Sequence, residues 1–347
     1  MTSTARLTEI PASSLARDYP SLARLLSGCV AVAVYSIPLT RRFRRIRVRD
    51  GLLLQGEAGW GEISPFWDYP APVAWSWVAA GMEAAREGFP SPLRERVPVN
   101  ATVPVCDPET AAGIVNAHPG VSAVKVKVAD PGVRLADDCA RVEAVRDALN
   151  ARGGGAIRVD VNGAWDIDEA IGAIGELDRA AGGLEYVEQP VASVEELARL
   201  RRKIEVPVAA DESVRLAQDP LDVVRAEACD LIVTKVQPLG GVRRALELAA
   251  QAGVPVVVSS AIDSSVGLSM GAHLAACLPG LPHACGLGTA SLLTDDVTTR
   301  PLAVNAGDIE VRGVEADRTD LPNVEEDLVR AWLKRLEDIA QWREAQR

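Results

Sequence analysis

Residues 124–128 read VKVKV, which sets Lys125 and Lys127 one residue apart in a run otherwise made of valine. In a strand, residues i and i+2 share a face, so the two lysines stand together and Val124, Val126 and Val128 stand opposite them. Side-chain bases ~6–7 Å apart repel by about 2–3 kcal/mol at an effective dielectric of roughly 20. That is worth roughly two pKa units, enough to bring one lysine towards the range of a general base. The ordinary alternative for a Lys-x-Lys pair is a solvated strand face. It loses ground if the strand lies inside a barrel, where a charged side chain meets solvent only at the rim.

Downstream, three apolar strands carry an acid near their ends: AIRVDV holds Asp160, LEYVEQ holds Glu188 and VPVAAD holds Asp211, while LIVTKV carries Lys235. The successive intervals are 28, 23 and 24 residues, each one strand-plus-helix unit. If the strands form one parallel barrel, their carboxyl ends make a single rim and the side chains converge on one small volume. Three carboxylates packed together without counter-charge would take up protons. A hard divalent cation resolves this, and an all-oxygen donor set favours Mg2+ or Mn2+ over zinc. The three histidines, His118, His273 and His283, fall outside this series. Any one of the acids reads equally well as a helix cap or turn residue; three in register are harder to explain that way. Alternation turns the neighbouring Glu212 to the other face, in a supporting position. Gly240–Gly241 reads as a helix start, or as a close approach to a bound anion.

Short apolar strands recur from about residue 100: ATVPV, AVKVKV, AIRVDV, LEYVEQ, VPVAAD, LIVTKV, VPVVVSS and ACGLG. Helix-like stretches such as RLADDCARVEAVRDALN and GVRRALELAAQAG lie between them. Eight strands with crossover helices predict a (β/α)8-type barrel. An open Rossmann sheet is the structural runner-up, disfavoured because no GxGxxG follows the first strands. Residues 29–63 alternate as antiparallel strands, with a hairpin turn expected at Asp50–Gly51, and 72–88 look helical. The expected organisation is an α+β capping domain over 1–98, completed by about 301–347, and a barrel over 99–300 that carries the site.

A net charge of −11 and a pI near 5.0 argue against nucleic acid as a partner. At 48% hydrophobic residues and a mean hydropathy of +0.07, the chain can bury a large core. The N-terminus has no charged-then-apolar signal pattern and no apolar run approaches membrane length, so a soluble, cytoplasmic protein without a membrane partner is expected. Cys29, Cys106, Cys139, Cys229, Cys277 and Cys285 form no CxxC pair and read as reduced, mostly buried thiols.

VKVKV, DVNGAW, EQP, ADES and KVQPLGG together resemble the enolase superfamily, whose members use a lysine or histidine base with Mg2+ stabilising an enediolate. The resemblance covers nearly the whole chain and implies a (β/α)7β barrel beneath an N-terminal capping domain. Lysines on the second and sixth strands are similar to the muconate-lactonizing-enzyme-like subgroup. Within it, GWGEISPFWDY, NATVPV and SSAIDSSVGLSMGAHLAA are most similar to the o-succinylbenzoate synthase family.

That resemblance implies Lys127 as the proton-transferring acid/base with Lys125 beside it, Lys235 as the opposing cation, and Asp160, Glu188 and Asp211 as Mg2+ ligands. It also implies Ser259, Ser260, Ser264, Ser265, Gly288 and Asn162 as contacts of a small carboxylate substrate. The implied reaction is syn dehydration of 2-succinyl-6-hydroxy-2,4-cyclohexadiene-1-carboxylate to o-succinylbenzoate, in menaquinone biosynthesis. Trp67 and the basic residues around Arg44 are candidates for closing the site from the capping domain, against a plain reading as domain-interface and solubility residues. The same two lysines would equally serve an N-acylamino acid racemase or a dipeptide epimerase. A muconate cycloisomerase is a weaker reading, and a non-catalytic ligand-binding barrel is disfavoured by the full set of carboxylates and lysines. Oligomeric state is not legible in these residues.

Overall fold

The computed structural model describes residues 4–43 and 46–346. Four antiparallel strands come first: β1 (Arg6–Pro11), β2 (Ala31–Phe43), β3 (Ile46–Gly56) and β4 (Gly59–Ile63), ordered β1-β2-β3-β4. Alternation gives the sheet two apolar faces. Val32, Val34, Leu52, Leu54 and Ile63 pack under the helix Pro20–Leu25 and the C-terminal helix Glu326–Glu344, through Leu22, Trp332, Leu333 and Leu336. Ala33, Tyr35, Ile37 and Leu53 join the larger core that continues into the barrel. Glu337 of the last helix accepts from the backbone N–H groups of Ser21 and Leu22 at 3.2 and 2.7 Å, tying the chain's end to this sheet.

Asp50–Gly51 is not a turn. The pair lies inside β3, with Gly51 opposite Tyr35. A Cβ on Gly51 would meet the Ser64 Cβ at 2.6 Å and the Tyr35 ring at 2.9 Å, so close packing is the demand that glycine meets here.

After β5 (Arg96–Pro98) the barrel strands follow: β6 (Ala101–Val103), β7 (Ala123–Lys127), β8 (Ala156–Asp160), β9 (Tyr186–Glu188), β10 (Val208–Ala210), β11 (Leu231–Thr234) and β12 (Val256–Val258). They form one parallel sheet in sequential order. Residues 285–286 close it, bridging Val99 on one side and Ser259 on the other. The eighth strand predicted around ACGLG is therefore the closing segment. β13 (Asp308–Glu310) returns to pair with β5. Three of the crossover helices start on side-chain caps: Asp107 accepts from Thr110 N at 2.8 Å, Asp166 from Glu169 N at 2.9 Å, and Ser193 forms a capping box with Glu196.

All six cysteines are free; Cys229 and Cys285 are buried and the other four half-buried, fewer buried than expected. Among the described residues no helix is long and apolar enough to cross a membrane.

Candidate active site at the carboxyl end of the barrel

Parallel register lines up the chemistry. Lys127 pairs with Asp160 across β7 and β8, and Asp160 with Glu188 across β8 and β9. Asp211 and Lys235 each follow directly on the last residues of β10 and β11. Val124 and Val126 point outward into the core, as alternation requires, and both lysines point inward. The second and sixth strands of an eight-stranded ring are opposite each other, so Lys127 and Lys235 face across the rim.

The three carboxylates are almost fully buried, at 1%, 1% and 2% exposure for Asp160, Glu188 and Asp211. Lys125 Nζ stands 3.0 Å from both Glu188 oxygens and 3.3 Å from Asp160 Oδ2. Lys127 donates to Asp160 Oδ2 and, at 2.8 Å, to Asn162 Oδ1, with its ammonium 5.7 Å from the centre of the Phe43 ring. Lys235 donates to Asp211 Oδ2, whose other oxygen accepts from Arg215 Nε at 3.1 Å.

Burial opposes charge on Asp160, Asp211, Glu188, Lys235 and Lys125, and the charges around each either outweigh it or fail to. At Asp160 burial is outweighed by Lys127 and Lys125, and the carboxyl sits far below the usual carboxylate range. At Asp211 burial is outweighed by Lys235 and Arg215, which bring it to about 2. Glu188 moves the other way, pushed up to about 7 by burial and then by the charge on Asp160. Burial also lowers Lys235, against the pull of Asp211. Lys125 is raised, because Glu188 and Asp160 outweigh its burial. Lys125 is thus not lowered, as one of the pair was expected to be: the carboxylates of the next two strands outweigh both its burial and the neighbouring ammonium.

Of the residues expected to touch substrate, Asn162, Ser259 and Ser260 line the cavity over this cluster, together with Phe43, Thr102, Glu212, Gly286 and Thr289. Ser264, Ser265 and Gly288 are placed elsewhere. Ser264 caps the helix Ser265–Cys277 and gives its Oγ–H to Glu62 of β4 at 2.5 Å; Ser265 donates to Asp296 at 2.6 Å. Gly288 is where it is for packing, since a Cβ there would lie 2.7 Å from the Asn100 carbonyl oxygen.

Glu212 does not face away. The strand ends at Ala210 and a short helix begins at Glu212, so alternation no longer applies; its Oε1 accepts from Asn162 Nδ2 at 3.3 Å and from Arg215. Trp67 is 49% exposed, donates to Asp50 at 2.8 Å and packs tilted against the Trp332 ring, away from the cavity. Arg44 lies outside the described residues. The anion at Gly240–Gly241 is a carboxylate of the chain itself: Glu83 accepts from the N–H groups of Val242 and Arg243 at 2.9 and 3.2 Å.

Sequence reasoning passed over Arg215 and Tyr69. Arg215 follows Asp211 by one helical turn, a spacing that was legible. Its NH1 donates to Tyr69 Oη at 2.8 Å, across 146 residues of chain.

Asp160, Glu188 and Asp211 are hard oxygen donors suited to a divalent cation. Among the described residues, no three acidic, histidine or cysteine groups stand close enough to enclose an ion as arranged, and lysine ammonium groups lie against all three carboxylates. Two observations nevertheless favour further positive charge here. Glu188 remains pushed up despite Lys125, and Glu212 Oε2 is buried with no hydrogen-bond partner. The donor set fits a hard dication.

Two family models match the chain: an enolase N-terminal domain-like model over residues 34–85 and an enolase C-terminal domain-like model over 109–315. The o-succinylbenzoate synthase of Thermobifida fusca (strain YX) is 55% identical over 314 residues, 90% of this chain and 97% of that protein. The chain belongs to the o-succinylbenzoate synthase family of the enolase superfamily. The synthase of Mycolicibacterium smegmatis is 53% identical, covering 76% of this chain and 80% of that one. Among solved structures, the L-Ala-D/L-Glu epimerase from Bacillus subtilis superposes with a TM-score of 0.70 at 22% identity, covering 82% of this chain and 96% of its own. Muconate cycloisomerase from Pseudomonas fluorescens gives 0.68 at 21% identity, covering 87% and 98%. These two likenesses establish the fold.

Proposed function

We propose that the protein catalyses the o-succinylbenzoate synthase reaction, the syn dehydration of 2-succinyl-6-hydroxy-2,4-cyclohexadiene-1-carboxylate in menaquinone biosynthesis. Lys127 removes the proton from the carbon that bears the ring carboxylate and returns it to the hydroxyl leaving the adjacent carbon. Water departs and the ring becomes aromatic. One lysine serves both transfers because proton and hydroxyl leave from the same face. Lys235, across the rim, supplies positive charge to the other side of the reacting carboxylate. Lys125 neutralises Glu188 and Asp160. Asp160, Glu188 and Asp211 would hold Mg2+ or Mn2+, which supplies positive charge to the substrate carboxylate and so acidifies the adjacent C–H. Residues 1–98 with the C-terminal helix cap the barrel and exclude water.

The supporting observation is the facing pair Lys127 and Lys235 about three buried carboxylates, in a chain 55% identical to a named synthase. The racemase and epimerase alternatives find likeness at the level of fold. The test is to supply the cyclohexadiene and, separately, N-succinyl amino acids with Mg2+. Dehydration with the higher kcat/KM is expected; racemisation without dehydration overturns the proposal.

A further inference from the structure

We infer that Tyr69 and Arg215 form a latch by which the loop after β4 fixes the orientation of Asp211, both acting as positioning residues. The inference rests on the assignment of Asp211 as a metal ligand.

Arg215 has a side chain only 2% exposed, and its three nitrogens go to three acceptors: Nε to Asp211 Oδ1 at 3.1 Å, NH1 to Tyr69 Oη at 2.8 Å, and NH2 to Glu212 Oε1. Its helix, Glu212–Arg215, has four residues, too short to hold a side chain in place by itself. The fixed point must come from outside, and Tyr69 provides it. Tyr69 is in turn held from the far end of the chain. Arg335, on the last helix, donates to the carbonyls of Pro65, Phe66 and Tyr69 at 3.0, 2.6 and 3.1 Å. Its guanidinium lies 4.8 Å from the Trp67 ring and 5.1 Å from the Trp332 ring. A continuous set of contacts therefore runs from the C-terminal helix to one oxygen of Asp211, whose other oxygen takes Lys235. The Arg215 guanidinium also reaches the proton-transfer arm, since Glu212 Oε1, which accepts from it, also accepts from Asn162, whose Oδ1 accepts from Lys127. Seating the loop sets both a carboxylate of the proposed metal site and the arm that holds the proposed base. Trp67 finds its use here, as a wall for Arg335.

Tyr69→Phe deletes the acceptor and keeps the ring. Expected are Mg2+ binding about tenfold weaker by calorimetry without substrate, faster amide exchange confined to residues 64–70 and 211–216, and a dehydration kcat restored at saturating Mg2+. A merely structural defect would lower kcat at all Mg2+ concentrations. Arg215→Lys should weaken Mg2+ binding at least as much, and adding Tyr69→Phe to it should change nothing further. Unchanged exchange at 211–216 in Tyr69→Phe overturns the latch, as does additivity of the two substitutions. If the parent binds Mg2+ but dehydrates nothing, the proposed reaction fails and these readouts still decide the latch. If the parent binds no Mg2+, the metal assignment fails and amide exchange alone decides it.

Discussion

Lys125→Met takes an ammonium group out of the space between two buried carboxylates while keeping most of the side chain's length. Lys125 Nζ lies 3.0 Å from both oxygens of Glu188 and 3.3 Å from Asp160. At 3.0 Å, a pair of unit charges attracts by about 5–6 kcal/mol at an effective dielectric of roughly 20, a gross figure before desolvation. Removing one partner of a buried pair costs about 3–5 kcal/mol. An unfolding entropy near ~2.1 cal/mol/K per residue, over 347 residues, makes 1 kcal/mol worth about 1.4 °C. In chelator at pH 7 the variant should therefore melt about 4–7 °C below the parent. The sign is secure at that pH: Lys125 is raised on folding, so its contribution is complete below the unfolded lysine pKa and disappears only as pH rises through the folded one. Saturating Mg2+ supplies charge to the same carboxylates, so the deficit should shrink by more than half. Scanning calorimetry with chelator and with Mg2+ makes the comparison. A variant that melts within about 1 °C of the parent in chelator, or a deficit that Mg2+ leaves untouched, would refute this account of the cluster.

Two further outcomes are expected. Asp263 is pushed up to about 7 by burial and then by the charge on Glu62. The folded state therefore binds its proton more tightly, and this contribution to stability is complete below pH ~4 and lost as pH rises to about 7, up to about 4 kcal/mol. In Asp263→Asn that part of the pH dependence should vanish; melting curves that stay parallel to the parent's from pH 4 to 8 contradict it. Lys235→Ala should lower the dehydration kcat by about 10²–10³-fold, the scale of losing a charge-stabilising group, with a smaller change in KM. An effect confined to KM would remove Lys235 from the reacting side.

The barrel and the placement of the charged side chains at its strand ends were legible because both are local patterns repeated along the chain. Alternation separates Lys125 and Lys127 from the valines, and the strand-plus-helix period puts Asp160, Glu188, Asp211 and Lys235 at successive strand ends. What was not legible depends on segments distant in sequence. Glu62 and Ser264 meet across 202 residues, which turns an expected substrate contact into a tie between the N-terminal sheet and the barrel. Tyr69 meets Arg215 across 146. Which of the two lysines stays firmly charged was not legible either: their spacing says nothing about the carboxylates that neighbouring strands bring within 3.3 Å of Lys125. Asp50–Gly51 misled in another way. DG is a hairpin signal, yet here glycine answers a steric demand from Ser64 and Tyr35 in mid-strand. Glu212 shows where alternation stops being a guide, one residue past the end of β10.

The assignment of Lys127 as the group that moves the proton is tested most directly by Lys127→Ala, assayed for dehydration of the cyclohexadiene with saturating Mg2+ and with its circular dichroism and melting temperature recorded alongside. A folded variant whose kcat falls by about 10²–10⁴-fold, the range for loss of a general acid–base group, is the predicted result. A folded variant that still dehydrates the substrate within about tenfold of the parent, well inside that range, would contradict it.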